Sequence, residues 1–118
     1  MILVNFKIYK ETFGDKAIVL AKICRKVMEE TGVKICPVVS ALDVYRVVST
    51  VGIEVFIQHT DGPVEGAKTG KVSIEQAKRA GAVGSLINHS EDKIIPGTIK
   101  KMLAQWPSDF KSVVCILS

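Results

Sequence analysis

Aromatic residues make up only 6% of this chain, while 47% of it is hydrophobic, so valine, isoleucine, leucine and alanine must fill its core. That aliphatic bias suits parallel strands buried beneath helices. Cysteine is equally sparse. Cys24, Cys36 and Cys115 are odd in number, show no C-x-x-C spacing and sit among apolar neighbours. They read as small buried hydrophobes in a reducing compartment, not as metal ligands, and no metal or other cofactor is expected. The net charge of +4 comes from basic residues scattered along the chain. Without a run of five or six of them there is no nucleic-acid footprint, and a solvated surface is the expectation. No apolar window approaches the roughly 18 residues of a membrane span. The N-terminus, Met1-Ile2-Leu3-Val4-Asn5-Phe6-Lys7, lacks the basic n-region and long apolar stretch of a signal peptide. The expected location is the cytoplasm, with neither nucleic acid nor membrane as a partner.

What the chain does have is a repeating strand–helix grammar. Gly32, Gly52 and Gly81 each precede a short apolar run, the form of a helix C-cap glycine leading into a strand. Ala17, Leu20, Ala21, Cys24, Val27 and Met28 follow helical spacing and predict one buried stripe. A second helix is expected over Leu42–Thr50, with Ser40 and Asp43 at capping-box spacing. A third starts near Ser73, with Gln76 three residues on, and a fourth runs from about Pro96 to Gln105. Lys111–Leu117 reads as a fifth strand. Strands therefore begin near residues 2, 33, 53, 82 and 111. The 118 residues form, on this reading, one domain of serial βα units with a parallel sheet. Spacing alone leaves two architectures open: a doubly wound sheet of flavodoxin type, or part of a closed barrel.

Polar residues interrupt the strands at one end. Val4, Phe6 and Ile8 should face covering helices, and Leu3, Asn5 and Lys7 the opposite side. A lysine on an otherwise buried strand needs a cause, and the C-terminal ends of parallel strands are where α/β proteins build ligand sites. Strand 4 runs into Asn88-His89-Ser90-Glu91, and by alternation Val83, Ser85, Ile87 and His89 should share a face. With Ser90 as a cap, a helix N-terminus beside His89 disfavours a protonated ring, and a neutral imidazole can donate to a carbonyl or enolate oxygen. His59, after strand 3, reads as a surface loop residue. Gly62–Gly70 lacks the order of a phosphate-binding P-loop and reads as an ordered protrusion, and the G-x-G-x-x-G dinucleotide fingerprint is absent.

Asn5-x-Lys7 ending strand 1, Gly66-Ala67-Lys68-Thr69-Gly70 after strand 3, and Asn88-His89-Ser90-Glu91 ending strand 4 together resemble triose-phosphate isomerases, most closely the short archaeal branch. The resemblance covers essentially the whole chain. It implies a partial TIM (β/α)₈ barrel of about four βα units plus a fifth parallel strand, the N-terminal half of the family fold. It implies interconversion of dihydroxyacetone phosphate and glyceraldehyde 3-phosphate through an enediolate, with no cofactor. Lys7 corresponds to the cation that meets the phosphate and the developing charge, Asn5 to a substrate-positioning residue, and His89 to the neutral electrophile. Glu91 is placed to pair Lys7. Thr69 belongs to a loop that enters a neighbouring subunit, and Gln58 is similar to a subunit-interface position. The chain departs from the family at Asp92-Lys93, where an arginine often follows the Ser-Glu pair.

Proton abstraction beside a carbonyl needs stabilisation of the oxyanion and a positioned base. The family base, a glutamate after strand 6, has no counterpart in these residues, because a full barrel takes about 250. The lone chain is therefore expected to be inactive, and neither Glu65 nor Glu91 is expected to substitute. A half-barrel also leaves two sheet edges open, so pairing with a second copy or a complementary half-barrel chain is expected. The other readings are a phosphate-ester-binding remnant and, least supported, an unrelated flavodoxin-like module.

Overall fold

The computed structural model describes residues 1–116. Nine elements alternate: β1 (Ile2–Asn5), α1 (Asp15–Thr31), β2 (Ile35–Val39), α2 (Val44–Val51), β3 (Phe56–Ile57), α3 (Ile74–Ala80), β4 (Gly84–Ile87), α4 (Pro96–Ala104) and β5 (Lys111–Val114). The Cys115 N–H extends the β5 pairing to the Ile87 carbonyl at 2.8 Å. Leu117, expected to end that strand, lies outside the described residues.

All five strands pair in parallel in the order β1-β2-β3-β4-β5. A doubly wound sheet reverses direction at a switch point. Strictly sequential order instead belongs to a sheet curling one way, which decides between the two architectures. The register shows how it curls. Asn5, last in β1, stands beside Val38, then Phe56, then Gly84, then Lys111, first in β5. This drift from the end of one strand to the start of another is the stagger that tilts barrel strands.

Side chains alternate across that sheet. Val4, Phe6, Ile35, Val39, Val55 and Ile57 pack outward into one cluster with Ala17, Ala21 and Cys24 of α1, Val44, Val47 and Val51 of α2, and Ile74 and Ala77 of α3. Leu3, Cys36, Val38, Phe56, Leu86 and Val113 form a second cluster on the concave face. Leu20 and Met28 join the outer core at its margin, whereas Val27, expected in the buried stripe, is exposed. Burial raises the pKa of the Cys24 and Cys36 thiols, as it does for cysteines that serve as packing.

Gly32, Gly52 and Gly81 each cap a helix in the left-handed conformation, as their placement predicts. Ser73 and Gln76 form a reciprocal capping box, and Pro96 opens α4. The Ser40–Asp43 box does not form. α2 starts two residues later than expected, and the buried Asp43 carboxylate instead accepts the Gly14 N–H at 3.1 and 3.2 Å, at the positive N-terminus of α1. The loop after β2 thereby fixes the loop after β1. At the far end Trp106 Nε1 donates to the Phe110 carbonyl at 2.7 Å and the two rings stack, closing the α4–β5 turn. Among the described residues no helix is long and apolar enough to cross a membrane.

Gly84 is a closely packed point of the concave face. A Cβ there falls 2.6 Å from Phe56 Cε2 and 2.8 Å from both Cβ and O of Lys111. Since backbone is one of those neighbours, rotamer changes cannot relieve the clash. Gly84→Ala is expected to destabilise by about 1–3 kcal/mol in urea unfolding. An unchanged midpoint would show that β3, β4 and β5 do not pack this closely.

Candidate active site

The end of β1 departs from the strand pleat. Lys7 has φ 53, a left-handed backbone that costs a non-glycine residue about 1–3 kcal/mol and persists only where neighbours enforce it. The neighbours are present. Asn5 Oδ1 accepts the Lys7 N–H at 3.0 Å, and Gln58 Nε2 donates to the Lys7 carbonyl at 2.9 Å and to Asn5 Oδ1 at 3.4 Å. Thr12 Oγ1 donates to the Phe6 and Tyr9 carbonyls, tightening the loop beyond. Because Lys7 breaks the alternation, Ile8 does not follow Val4 and Phe6 into the core. It is 75% exposed.

The β4 alternation needs the opposite correction. Gly84 and Leu86 face the concave side, so Ser85 and Ile87 face away from it, and simple alternation would send His89 away too. Asn88 reverses this. Its φ of 63 swings the chain, and its side chain is pinned by accepting from the Ile94 N–H at 2.8 Å and donating to the Cys115 carbonyl at 3.1 Å. His89 thereby reaches the concave pocket. No helix starts at Ser90. Residues 89–92 form a turn closed by the Asp92 N–H on the His89 carbonyl at 2.8 Å, and α4 waits until Pro96. The helix N-terminus expected to disfavour a protonated His89 is therefore absent. The Glu91 N–H donates to His89 Nδ1 at 3.2 Å, so that nitrogen keeps its lone pair and the proton sits on Nε2.

Lys7 Nζ and Glu91 Oε1 lie 2.7 Å apart. Hydrogen bonding to Glu91, then its charge, raises the Lys7 amine, and the Lys7 bond holds the Glu91 carboxyl below its usual range. Asn5, Lys7, Gln58, His89 and Glu91 all line one pocket at the C-terminal ends of β1, β3 and β4, with Leu86 among its apolar walls. Thr69 does not line it and is exposed in the loop between β3 and α3. That loop is an ordered protrusion, as expected. Its base is closed by Asp61, whose N–H reaches the Val72 carbonyl and whose Oδ2 accepts the Val72 N–H, both at 2.7 Å.

His59 and Asp92 also line the pocket, and the reading of His59 as a surface loop residue is corrected. His59 Nε2 lies 2.9 Å from Asp61 Oδ1, and Nδ1 lies 3.2 Å from Asp92 Oδ2. Burial works to raise the Asp61 carboxyl, but the Val72 N–H and the His59 ring outweigh it and hold it low. Only the His59-x-Asp61 spacing hinted at this; the Asp92 partner lies 33 positions further along and left no local signal.

A curled, sequentially ordered parallel sheet with its polar residues gathered at the strand C-termini defines half of a (β/α)₈ barrel. Sequence and structure comparisons specify which one. The Triosephosphate isomerase family profile matches residues 1–117, and the chain belongs to that family. It is 44% identical over 116 residues to the triosephosphate isomerase of Methanothermus fervidus, covering 98% of this chain and 52% of the relative. It is 42% identical over 117 residues to that of Metallosphaera sedula, covering 98% and 51%. The crystal structure of triosephosphate isomerase from Bartonella henselae superposes with a TM-score of 0.78 at 21% identity, covering 98% of this chain and 49% of that one. The chain thus spans about half the length of the relatives it matches.

The Lys7–Glu91 pair has a definite pH signature. The Glu91 pKa is depressed from 4.5, so the pair's contribution is complete above that value and is lost as pH falls through the lowered one. In Lys7→Met, Glu91 is expected to titrate at higher pH, back near an ordinary glutamate, by carboxyl ¹³C NMR. An unchanged Glu91 titration would mean that the pair does not form.

Proposed function

We propose that this chain forms the electrophilic half of a triosephosphate isomerase site, acting on dihydroxyacetone phosphate and glyceraldehyde 3-phosphate. One observation carries the reading: Lys7 and the Nε2–H of His89 come from different strand ends yet line the same pocket. In the proposed roles, Lys7 meets the phosphate and the negative charge that grows on the enediolate. His89 donates from Nε2 to the carbonyl oxygen, Glu91 holds Lys7 in place, and Asn5 fixes substrate and lysine together. Fixed donors aimed where charge develops are the main electrostatic contribution to such a reaction.

The same pocket gives specific support to a second reading, a phosphate-ester-binding half without turnover. Its two carboxylates, Glu91 and Asp92, are both engaged, one with Lys7 and the other with His59. Neither is free to abstract a carbon-bound proton. On either reading the base comes from a second half-barrel. The edges support such a partner: Ile2, the first residue of β1, is 50% exposed, and Ile116, beyond β5, is 92% exposed. On α1, exposed Val19, Ile23 and Val27 form a stripe on the flank away from α2. We propose that this flank packs a helix of that half. We also propose that the Thr69 loop and Gln58 mark contact with a further copy. A reducing cytoplasm fits the free Cys24, Cys36 and Cys115.

The test is isomerisation of dihydroxyacetone phosphate by the lone chain, and by the chain mixed with the C-terminal half of the Methanothermus fervidus relative. The expected result is background rate alone and Lys7-dependent turnover in the mixture, abolished by Lys7→Met. Turnover by the lone chain that survives Lys7→Met would overturn the reading. Phosphate-ester binding without turnover in the mixture would favour the second one. Light scattering on the lone chain should report self-association, and a strictly monomeric, soluble species would remove the argument from the edges.

A further inference from the structure

The pocket contains an imidazole, that of His59, which the proposed chemistry does not use. We propose that His59 is a positioning residue, a bolt that joins the base of the protruding loop to the turn carrying His89 and Glu91. The proposal rests on the reading of His89 as the electrophile. Its imidazole stands between two carboxylates on different segments. Asp61, on the Nε2 side, closes the protrusion through its paired bonds with Val72. Asp92, on the Nδ1 side, closes the 89–92 turn through its N–H on the His89 carbonyl. Each ring nitrogen thus faces one carboxylate. Lys7 holds the Glu91 side chain and Asn88 anchors the start of the turn, but the end at Asp92 is short of support: Ser90, Glu91 and Asp92 are exposed, and no helix follows until Pro96. Its shape nevertheless decides whether the Glu91 N–H reaches His89 Nδ1, and so which ring nitrogen carries the proton toward the pocket. His59 holds that shape from outside the turn.

The two ring nitrogens can be tested separately, because asparagine places its amide near the Nδ1 position and glutamine near Nε2. His59→Asn should retain the bond to Asp92 and lose Asp61. His59→Gln should do the reverse. The chain has only two histidines, so ¹H–¹⁵N NMR of the parent assigns both rings, and each variant leaves the His89 signal alone. In His59→Gln, the His89 ring is expected to populate both tautomers and the Asp92 amide to exchange on the order of five-fold faster, the range of one exposed charge contact. The Val72 amide should be unchanged. In His59→Asn, the His89 signature and the Asp92 amide should stay as in the parent while Val72 exchanges faster. If the two variants behave alike, or if His89 keeps its Nε2–H signature in His59→Gln, the proposal is wrong. Titration of each variant with glycerol 3-phosphate gives a separate readout. If the parent itself binds none, the functional reading fails while the His59 result stands on the tautomer data.

Discussion

The hydrogen bond from Gln58 to the Lys7 carbonyl spans two strands that are not neighbours. β1 and β3 each pair with β2, which lies between them. In a flat sheet, strands two places apart stand nearly 10 Å from each other, a distance a glutamine amide cannot bridge. The curl of the sheet brings them within reach on the concave side. The bond is therefore a product of curvature and a lock upon it. It also fixes the carbonyl of a residue held at positive φ, and with the Asn5 side chain on the Lys7 N–H it encloses that peptide from both sides. Without this enclosure β1 could relax to an ordinary pleat, and the lysine would follow the strand instead of turning toward Glu91.

The β4 end repeats the device with different chemistry. Asn88 is the other non-glycine at positive φ, a conformation that asparagine tolerates better than most residues, and its amide holds two separate backbone groups. The two strained residues immediately precede or constitute the groups that face the pocket. Strain of this kind survives only where the scaffold over-determines it. Here the supporting bonds come from β3, from the segment before α4 and from the residue after β5, so the local geometry draws on nearly the whole half-barrel.

Much of this was legible in the sequence, for reasons that differ by level. Glycine caps, the Ser73–Gln76 box and Pro96 are local signals with a local cause, and each element they frame is present. Parallel pairing followed from the βα alternation, but strand order did not, because spacing contains no information on which edge each new strand joins. Lys7 was placed correctly although the alternation argument stops one residue short of it. His89 was placed in the pocket by an alternation that β4 contradicts, and the outcome was rescued by Asn88. A positive φ at a non-glycine residue leaves no trace in hydrophobic patterning. The same holds for Asp43, whose cap spacing looked local while its carboxylate serves a different helix, and for His59, whose second partner is remote in sequence.

On the proposed reading, the Lys7–Glu91 pair lets a half-site be poised and still available to a ligand. Lys7 is 37% and Glu91 55% exposed at the side chain, and an ion pair at such exposure contributes little net stability. On the proposed reading this partner keeps the amine charged and aimed, and the ammonium's other N–H donors are left for a phosphate ester. Glu91 is also tied to the site through its backbone N–H, which holds the His89 ring. One residue thus makes two separable contacts, a counter-ion through its side chain and a hydrogen bond to His89 Nδ1 through its main chain. On the proposed reading, a ligand reaches Lys7 without disturbing the proton on His89 Nε2, so the electrophile is set before the substrate arrives and stays set as the cation gains a second partner.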